Sequence, residues 1–232
     1  MIEWPMTQGT GVQTIAAVVF DKDGVLADSE PINVRSAREV FAKCGLFLGP
    51  EADREIVGRH PRDYFPSFAR QFGLCDGQLR KMLAEKETLY AQMWEADGHL
   101  FEGVREVLTK VRASFPRLGI ATSSSRAELD AFLDRFDLKA FFQVTLSRDD
   151  VTRPKPAPEI YLSAAATLET APQNIVVVED SEPGVRSAHA AQTFCVALRG
   201  HHVDRAALSL ADRIIGDLRE LPGLLSKIGR AA

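Results

Sequence analysis

The sequence reads as an α/β protein with a doubly wound, mainly parallel sheet and a helical domain inserted after the first strand. Three observations predict this. Short β-like runs alternate with helically spaced segments, the order expected of a parallel sheet. Several runs are continuously apolar, as strands are when helices cover both faces of a sheet. Between Asn33 and Asp97 the alternation stops, and only helical pattern is found. The expected organisation is a Rossmann-like core of residues 1–32 and 98–232 with a helical cap of residues 33–97.

Five runs read as strands: residues 15–20, 118–122, 144–146, 175–178 and 194–198, with 213–215 as a short sixth. The segments between them carry apolar stripes at helical spacing. Val104, Val107, Leu108 and Val111 form one stripe. Leu129, Phe132, Leu133 and Phe136 form another, behind Ser125 and Glu128 in capping-box register. Leu218, Leu221, Leu225 and Ile228 form the last, capped by Asp217 and Glu220. Within the insertion, Val34, Ala37, Val40, Phe41 and Cys44 share a face. Leu79, Met82, Leu83, Leu89, Tyr90, Met93 and Trp94 share a longer one, and Tyr90 and Trp94 are expected in the core of the cap. Gly45, Gly49, Pro50 and Gly73 punctuate these helices, and hinges are expected near residues 29–31 and 97–103.

Composition narrows the function classes. The 232 residues fit one large domain or two small ones, and 45% hydrophobic with 26% charged residues is ordinary for a globular chain. No apolar run approaches the ~20 residues of a membrane span. Residues 1–14 have neither the basic start nor the apolar stretch of a secretory signal, so the cytoplasm is the expected compartment. A net charge of −4 gives no support for nucleic-acid or anionic-membrane binding. Cys44, Cys75 and Cys195 lie far apart without a CxxC and read as reduced, packed thiols.

Ligands of an open parallel sheet gather outside the carboxyl ends of its strands. Polar clusters follow four of the expected strands. They are Asp21-Lys22-Asp23-Gly24, Thr122-Ser123-Ser124-Ser125, a loop leading to Arg153-Pro154-Lys155-Pro156, and Glu179-Asp180-Ser181. Each cluster alone is compatible with turns and surface; their common placement is the signal. Asp21 and Asp23, two apart in extended chain, start on one face. Four carboxylates brought together repel and take up protons unless a cation joins them. Oxygen ligands without a neighbouring His or Cys suit Mg²⁺. A carboxylate nucleophile, Mg²⁺, a lysine and hydroxyls are the parts of phosphoryl transfer through an aspartyl-phosphate.

The same segments resemble, in order, the four motifs of the haloacid dehalogenase-like hydrolases, in the branch of β-phosphoglucomutase and phosphoglycolate phosphatase. The first is Phe20-Asp21-Lys22-Asp23-Gly24-Val25-Leu26-Ala27-Asp28-Ser29-Glu30. The second is Ala121-Thr122-Ser123-Ser124-Ser125-Arg126. The third is Arg153-Pro154-Lys155-Pro156-Ala157-Pro158, and the fourth is Val178-Glu179-Asp180-Ser181-Glu182-Pro183-Gly184-Val185. The resemblance implies Asp21 as nucleophile and Asp23 as acid and then base. It implies Ser123, or Thr122 one residue earlier, as hydrogen-bond donor to the phosphoryl group, and Lys155 as its neutralising cation. Mg²⁺ would be held by Asp21, the Asp23 carbonyl and Asp180, with Glu179 ligating directly, through water, or serving only as a supporting carboxylate. The cap would close over the site and read the substrate. Glu102-Gly103 departs from the family's frequent Pro-Gly, which touches the hinge and not the chemistry.

Ser124 is a further candidate for substrate contact, although loop and helix-cap roles also suit Ser124 and Ser125. In the cap, Gly58-Arg59-His60 precedes Pro61, and Arg59 suits a second anionic group. His60, His99, His189, His201 and His202 lack metal-ligand spacing and read as surface or structural. Ser29 can cap the helix that follows. The expected activity is Mg²⁺-dependent hydrolysis of a small phosphate monoester such as a sugar phosphate. A β-phosphoglucomutase-type mutase is the alternative with the same core residues. A phospho-acceptor regulatory domain is the remote one, since that fold is about half this length and lacks the insertion. The expected partner is a small molecule bound by a monomer, without nucleic acid or membrane.

Overall fold

The computed structural model describes residues 14–57, 59–199 and 208–228. Gly58, His201 and His202 lie outside them, as do residues 1–13. Among the described residues six strands form one parallel sheet: β1 Ala17–Phe20, β2 Arg117–Ala121, β3 Val144–Leu146, β4 Ile175–Glu179, β5 Phe194–Leu198 and β6 Arg213–Ile215. Their order is β3-β2-β1-β4-β5-β6. β1 therefore lies at the centre, where the winding reverses.

Alternation along the strands builds two cores. Val18, Phe20, Leu118, Ile120, Val176 and Val178 face helices α5 (Val104–Ser114), α6 (Arg126–Arg135) and α9 (Leu221–Ile228). Ala17, Val19, Val177, Cys195 and Ala197 face α7 (Glu159–Thr167) and α8 (Glu182–Ala190). Every residue of β1 is buried, which is why its run is apolar throughout. Four strand ends differ from expectation: β1 starts at Ala17 rather than residue 15, β2 starts and ends one residue early, at Arg117 and Ala121, and β4 extends to Glu179. The Ser125 capping box forms, with the Ser125 N–H donating to Glu128 Oε2 at 2.8 Å.

The insertion holds α1 (Glu30–Lys43), α2 (Asp53–Ile56), α3 (Pro61–Gln71) and α4 (Asp76–Asp97). They enclose a separate cluster in which Phe41 meets Phe65 at 5.2 Å and Phe68 at 5.6 Å between ring centroids. Trp94 and Tyr90 are not in it. Trp94, near the end of α4, packs into the first sheet core beside Phe132 and Phe136, and Tyr90 stacks on it. The helical stripe was legible, but α4 is long enough that its last turns leave the cap and dock on the sheet domain. Cys44 lies past the end of α1 and is exposed, as is Cys75; of the three thiols only Cys195 is packed.

Two chain segments cross between sheet and insertion. The Asp28 N–H donates to the His99 carbonyl at 3.1 Å, and Asp28 Oδ2 lies 3.3 Å from His99 Nε2. Ala27 and Leu100 form an antiparallel bridge. Ser29 makes no side-chain cap on α1; its hydroxyl instead helps hold the Asp23 carboxyl charged.

Candidate active site

The register of the central strands assembles the polar clusters. Phe20 pairs with Ile120 on one side and Val178 on the other. The next residue of each strand end therefore comes together: Asp21, Ala121 and Glu179. The Asp21 N–H donates to the Val178 carbonyl at 2.9 Å, which extends the ladder one residue past β1. This is the crevice at the switch point of a doubly wound sheet, where such folds bind ligands.

Lys155, from the loop before α7, enters this crevice. Its Nζ donates to Asp21 Oδ1 at 2.6 Å, Glu179 Oε1 at 2.6 Å and the Ala121 carbonyl at 3.0 Å. Its side chain is 3% exposed. Glu179 is wholly buried and fully used. Oε1 also accepts from the Tyr161 hydroxyl at 2.7 Å, while Oε2 accepts from the Asp180 and Ser181 N–H groups and from Ser181 Oγ. Burial opposes its charge, but Lys155 outweighs that and holds the carboxyl below the usual range. Lys155 is held above the ordinary lysine range, because Asp21 and Glu179 outweigh its burial.

One lysine does not balance three carboxylates. Asp21, Glu179 and Asp180 each place an oxygen within 4.8 Å of the others, and all three are buried. Burial and the neighbouring Glu179 charge push Asp21 and Asp180 up. Protonation of this kind is what a crowded acidic cluster does in the absence of a cation. The all-oxygen donor set fits a hard divalent ion. Gly24 gives the cluster room: its φ is +76°, and a Cβ there would sit 1.8 Å from Asp180 Oδ2. Gly184, in the first turn of α8, has the same relation to Glu179, with Cδ at 1.9 Å.

Asp23 is aimed elsewhere. Its Oδ2 accepts from Ser124 Oγ at 2.8 Å and from Thr122 Oγ1 at 3.4 Å. Burial opposes its charge, yet Lys22 and the hydroxyls of Ser29 and Ser124 hold its pKa below the usual value. Thr122 is buried, and its hydroxyl also accepts from the Ser124 N–H at 3.0 Å. Ser123 lines the cleft that opens above the carboxylates.

That cleft has a volume of about 560 Å³ and lies between the sheet edge and the cap, ample for a small metabolite. Arg59 lies on its wall, as do His60, Arg62, Lys86 and Arg148. Reading the sequence missed the last three, Arg62 among them. Arg148 stands two residues past β3, so the strand-end rule could have found it; its Nη1 meets His60 Nε2 at 2.8 Å across the cleft. Lys86 is a charged residue on the apolar stripe of α4, which is itself a signal. It is 4% exposed and donates to Asn33 Oδ1 at 2.8 Å. Burial lowers its pKa to about 8. His60, expected as a surface or structural residue, lines the cleft and caps α3, with ring Nδ1 accepting from the Arg62 N–H. Burial and the cations Arg148, Lys86 and Arg62 lower its pKa to about 4. Tyr161, behind Glu179, was also missed.

Known proteins carry the same architecture. A family model described as haloacid dehalogenase-like hydrolase matches residues 18–198. A phosphorylated carbohydrates phosphatase of Thermotoga maritima is 33% identical over 178 residues, covering 75% of this chain and 81% of that protein. A crystal structure of CbbY from Rhodobacter sphaeroides in complex with phosphate superposes with a TM-score of 0.78 at 26% identity, over 90% of this chain and 96% of that one. A mutant of the same protein in complex with xylulose-(1,5)bisphosphate gives 0.77 at 27% identity, with the same coverage. No described helix is long and apolar enough to cross a membrane. With four motifs at one sheet edge and a family match across both sheet and insertion, the chain belongs to the haloacid dehalogenase-like hydrolases, in the branch that its motifs resemble.

Proposed function

We propose that this chain is a Mg²⁺-dependent phosphatase of a small phosphorylated metabolite, a sugar phosphate or similar ester, acting through an aspartyl-phosphate on Asp21. One observation carries the reading. A single buried lysine bridges Asp21 and Glu179 while the Asp180 carboxylate stands beside them, so the cluster lacks one cation. Asp21 and Asp180 would hold the ion together with the Asp23 backbone carbonyl. Glu179, whose oxygens are already bonded, serves chiefly to hold Lys155 and would reach the ion through water. The bound ion would neutralise the phosphoryl oxygens and screen the carboxylates from one another.

In the first step an Asp21 carboxylate oxygen bonds to phosphorus. The bond to the ester oxygen breaks, and Asp23, which takes up a proton from solvent as the anionic phosphate enters beside it, gives that proton to the ester oxygen. Lys155 fixes the nucleophile and offsets charge on the phosphoryl group. Ser123, which lines the cleft, is the candidate to donate to its oxygens; Thr122, buried and bonded to Asp23 and the Ser124 N–H, supports the loop from behind. In the second step Asp23, now a carboxylate, takes a proton from water as the water attacks phosphorus and Asp21 leaves. The wall of the cleft bearing Arg59, Lys86 and Arg148 suits a substrate with a second anionic or hydroxyl-rich end. The named relatives, a carbohydrate phosphatase and a protein crystallised with a sugar bisphosphate, support the same substrate class. The expected compartment remains the cytoplasm.

The test is a panel of sugar phosphates, phosphoglycolate and nucleotides assayed for phosphate release with Mg²⁺ and with EDTA. Turnover on at least one sugar phosphate, lost with EDTA and reduced at least ~10³-fold in Asp21→Asn, is expected. Turnover that survives either change overturns the mechanism. Conversion of glucose 1-phosphate to glucose 6-phosphate with a bisphosphate activator, without net phosphate release, would replace it with a mutase.

A further inference from the structure

Lys22 is a buried charge that the mechanism above does not use. It lies between the nucleophile and the acid/base, yet its side chain points away from the cleft. It is 2% exposed, and Nζ lies 3.1 Å from Asp23 Oδ1. Two aromatic rings flank it: Trp94 at 5.8 Å and Phe132 at 5.7 Å from Nζ to centroid. Phe132 belongs to α6 of the sheet domain, and Trp94 to the last turns of α4. Apart from this ion pair, Asp23 Oδ1 is buried with no hydrogen-bond partner among the described residues.

We propose that Lys22 is a positioning residue for the acid/base carboxylate, anchoring Asp23 Oδ1 from behind so that Oδ2 faces the leaving oxygen. The two oxygens of Asp23 have opposite surroundings. Oδ2 is bonded to Ser124, a residue that lines the cleft, and to the buried Thr122 hydroxyl. Oδ1 has no hydrogen-bond partner among the described residues and is ion-paired with the Lys22 ammonium, while the Ser29 hydroxyl adds to the charge stabilisation of the carboxylate as a whole. Without that ammonium, Oδ1 would be a buried acceptor with nothing to bond, and the carboxylate would turn toward water. The ammonium is itself fixed by the cation–π box. Because one side of the box is Trp94, the docking of α4 on the sheet domain is needed to complete it.

This inference rests on Asp23 as the proton donor to the leaving group, and the experiment separates the two ideas. Departure of an alkoxide needs a proton; departure of p-nitrophenolate hardly does. kcat/KM, which reports steps up to transfer onto Asp21, is measured for 2-phenylethyl phosphate and p-nitrophenyl phosphate. Asp23→Asn is expected to lose at least ~100-fold more on the alkyl than on the aryl ester. Equal losses there overturn Asp23 as the acid. Lys22→Met is expected to lose about tenfold more on the alkyl ester, and Lys22→Gln, which keeps a donor, less than Lys22→Met. In the Asp23→Asn background Lys22→Met should leave the alkyl-to-aryl ratio unmoved. Equal losses on both esters from the Lys22 variants, with Asp23→Asn still selective, overturn the Lys22 role and leave a side chain that only supports the fold.

Discussion

The two walls of the cleft hold their charges in different ways. On the sheet side, the side chains of Lys155, Asp21 and Glu179 are buried, and the lysine makes three hydrogen bonds to groups set by strand register. On the cap side, Arg59 and Arg62 are exposed; Arg148, which reaches across from the sheet domain to His60 of the cap, is half-buried. Of the cap's cations only Lys86 is buried, with Asn33 as its partner. Buried charges in a satisfied network cannot shift without a large cost, which suits groups that must meet a reacting phosphorus atom. Exposed arginines are cheaper to move and to replace, which suits recognition. The lesson is that chemistry sits where the parallel sheet enforces geometry, and discrimination sits where it does not.

The sharpest way to break this contrast is Lys155→Met. It leaves Asp21 and Glu179 buried without their counter-charge, so a stability loss of about 3–5 kcal/mol is expected together with loss of turnover. Urea denaturation and phosphate release measure the two. A loss under 1 kcal/mol would show that the sheet wall is no stiffer than the cap wall.

Gly24→Ala comes next. A non-glycine residue at a φ of +76° is strained, and the new Cβ meets Asp180 Oδ2 at 1.8 Å. Roughly 1–2 kcal/mol of stability should be lost, along with most of the thermal stabilisation conferred by Mg²⁺. Asp180→Asn separates those effects. It removes one of three crowded carboxylates, so the metal-free protein should melt at or above the wild-type temperature. The gain from Mg²⁺, about 2.7 kcal/mol at a hundredfold excess over Kd, should vanish. An undiminished gain would place the ion elsewhere.

Smaller effects are expected at Lys86 of the cap wall and at Arg148, which faces it from the sheet domain. Lys86→Met should raise KM for a sugar phosphate about tenfold with little change in kcat, the signature of lost ground-state binding. Burial lowers the Lys86 pKa to about 8. Its charge is therefore present below that pH and lost above it, and wild-type KM should rise above pH 8. Lys86→Arg stays protonated and should remove that rise. Arg148→Ala should have the least effect, a few-fold in KM, since it loses one half-buried contact to His60. A change in kcat from either residue, seen in steady-state kinetics, would move it into the chemistry.

Much of the sheet domain was legible because its signals are local. The apolar run through Val18 and Phe20 is a strand buried on both faces, and Ser125 with Glu128 announces a helix start three residues ahead. The clusters carrying Asp21, Lys155 and Asp180 followed from one rule about strand ends. Residues whose meaning depends on distant partners were read less well. Ser29 has the chemistry of a helix cap, but its hydroxyl makes no cap bond and instead supports the charge on Asp23. Trp94 has the spacing of a cap residue, and only the length of α4 carries it to Phe132. Lys86 and Arg148 come from separate elements and acquire a common role when the insertion folds over the sheet edge.

By itself the sequence determined the α/β class, the inserted helical block and the residue types at each strand end, because periodicity and loop chemistry act within about ten residues. Tertiary structure alone decided which carboxylate Lys155 bonds, that Glu179 is saturated, and that Lys22 turns into an aromatic box behind Asp23. These are contacts between segments far apart in the chain, 134 positions for Lys155 and Asp21. They exist only once the parallel register has brought the strand ends level.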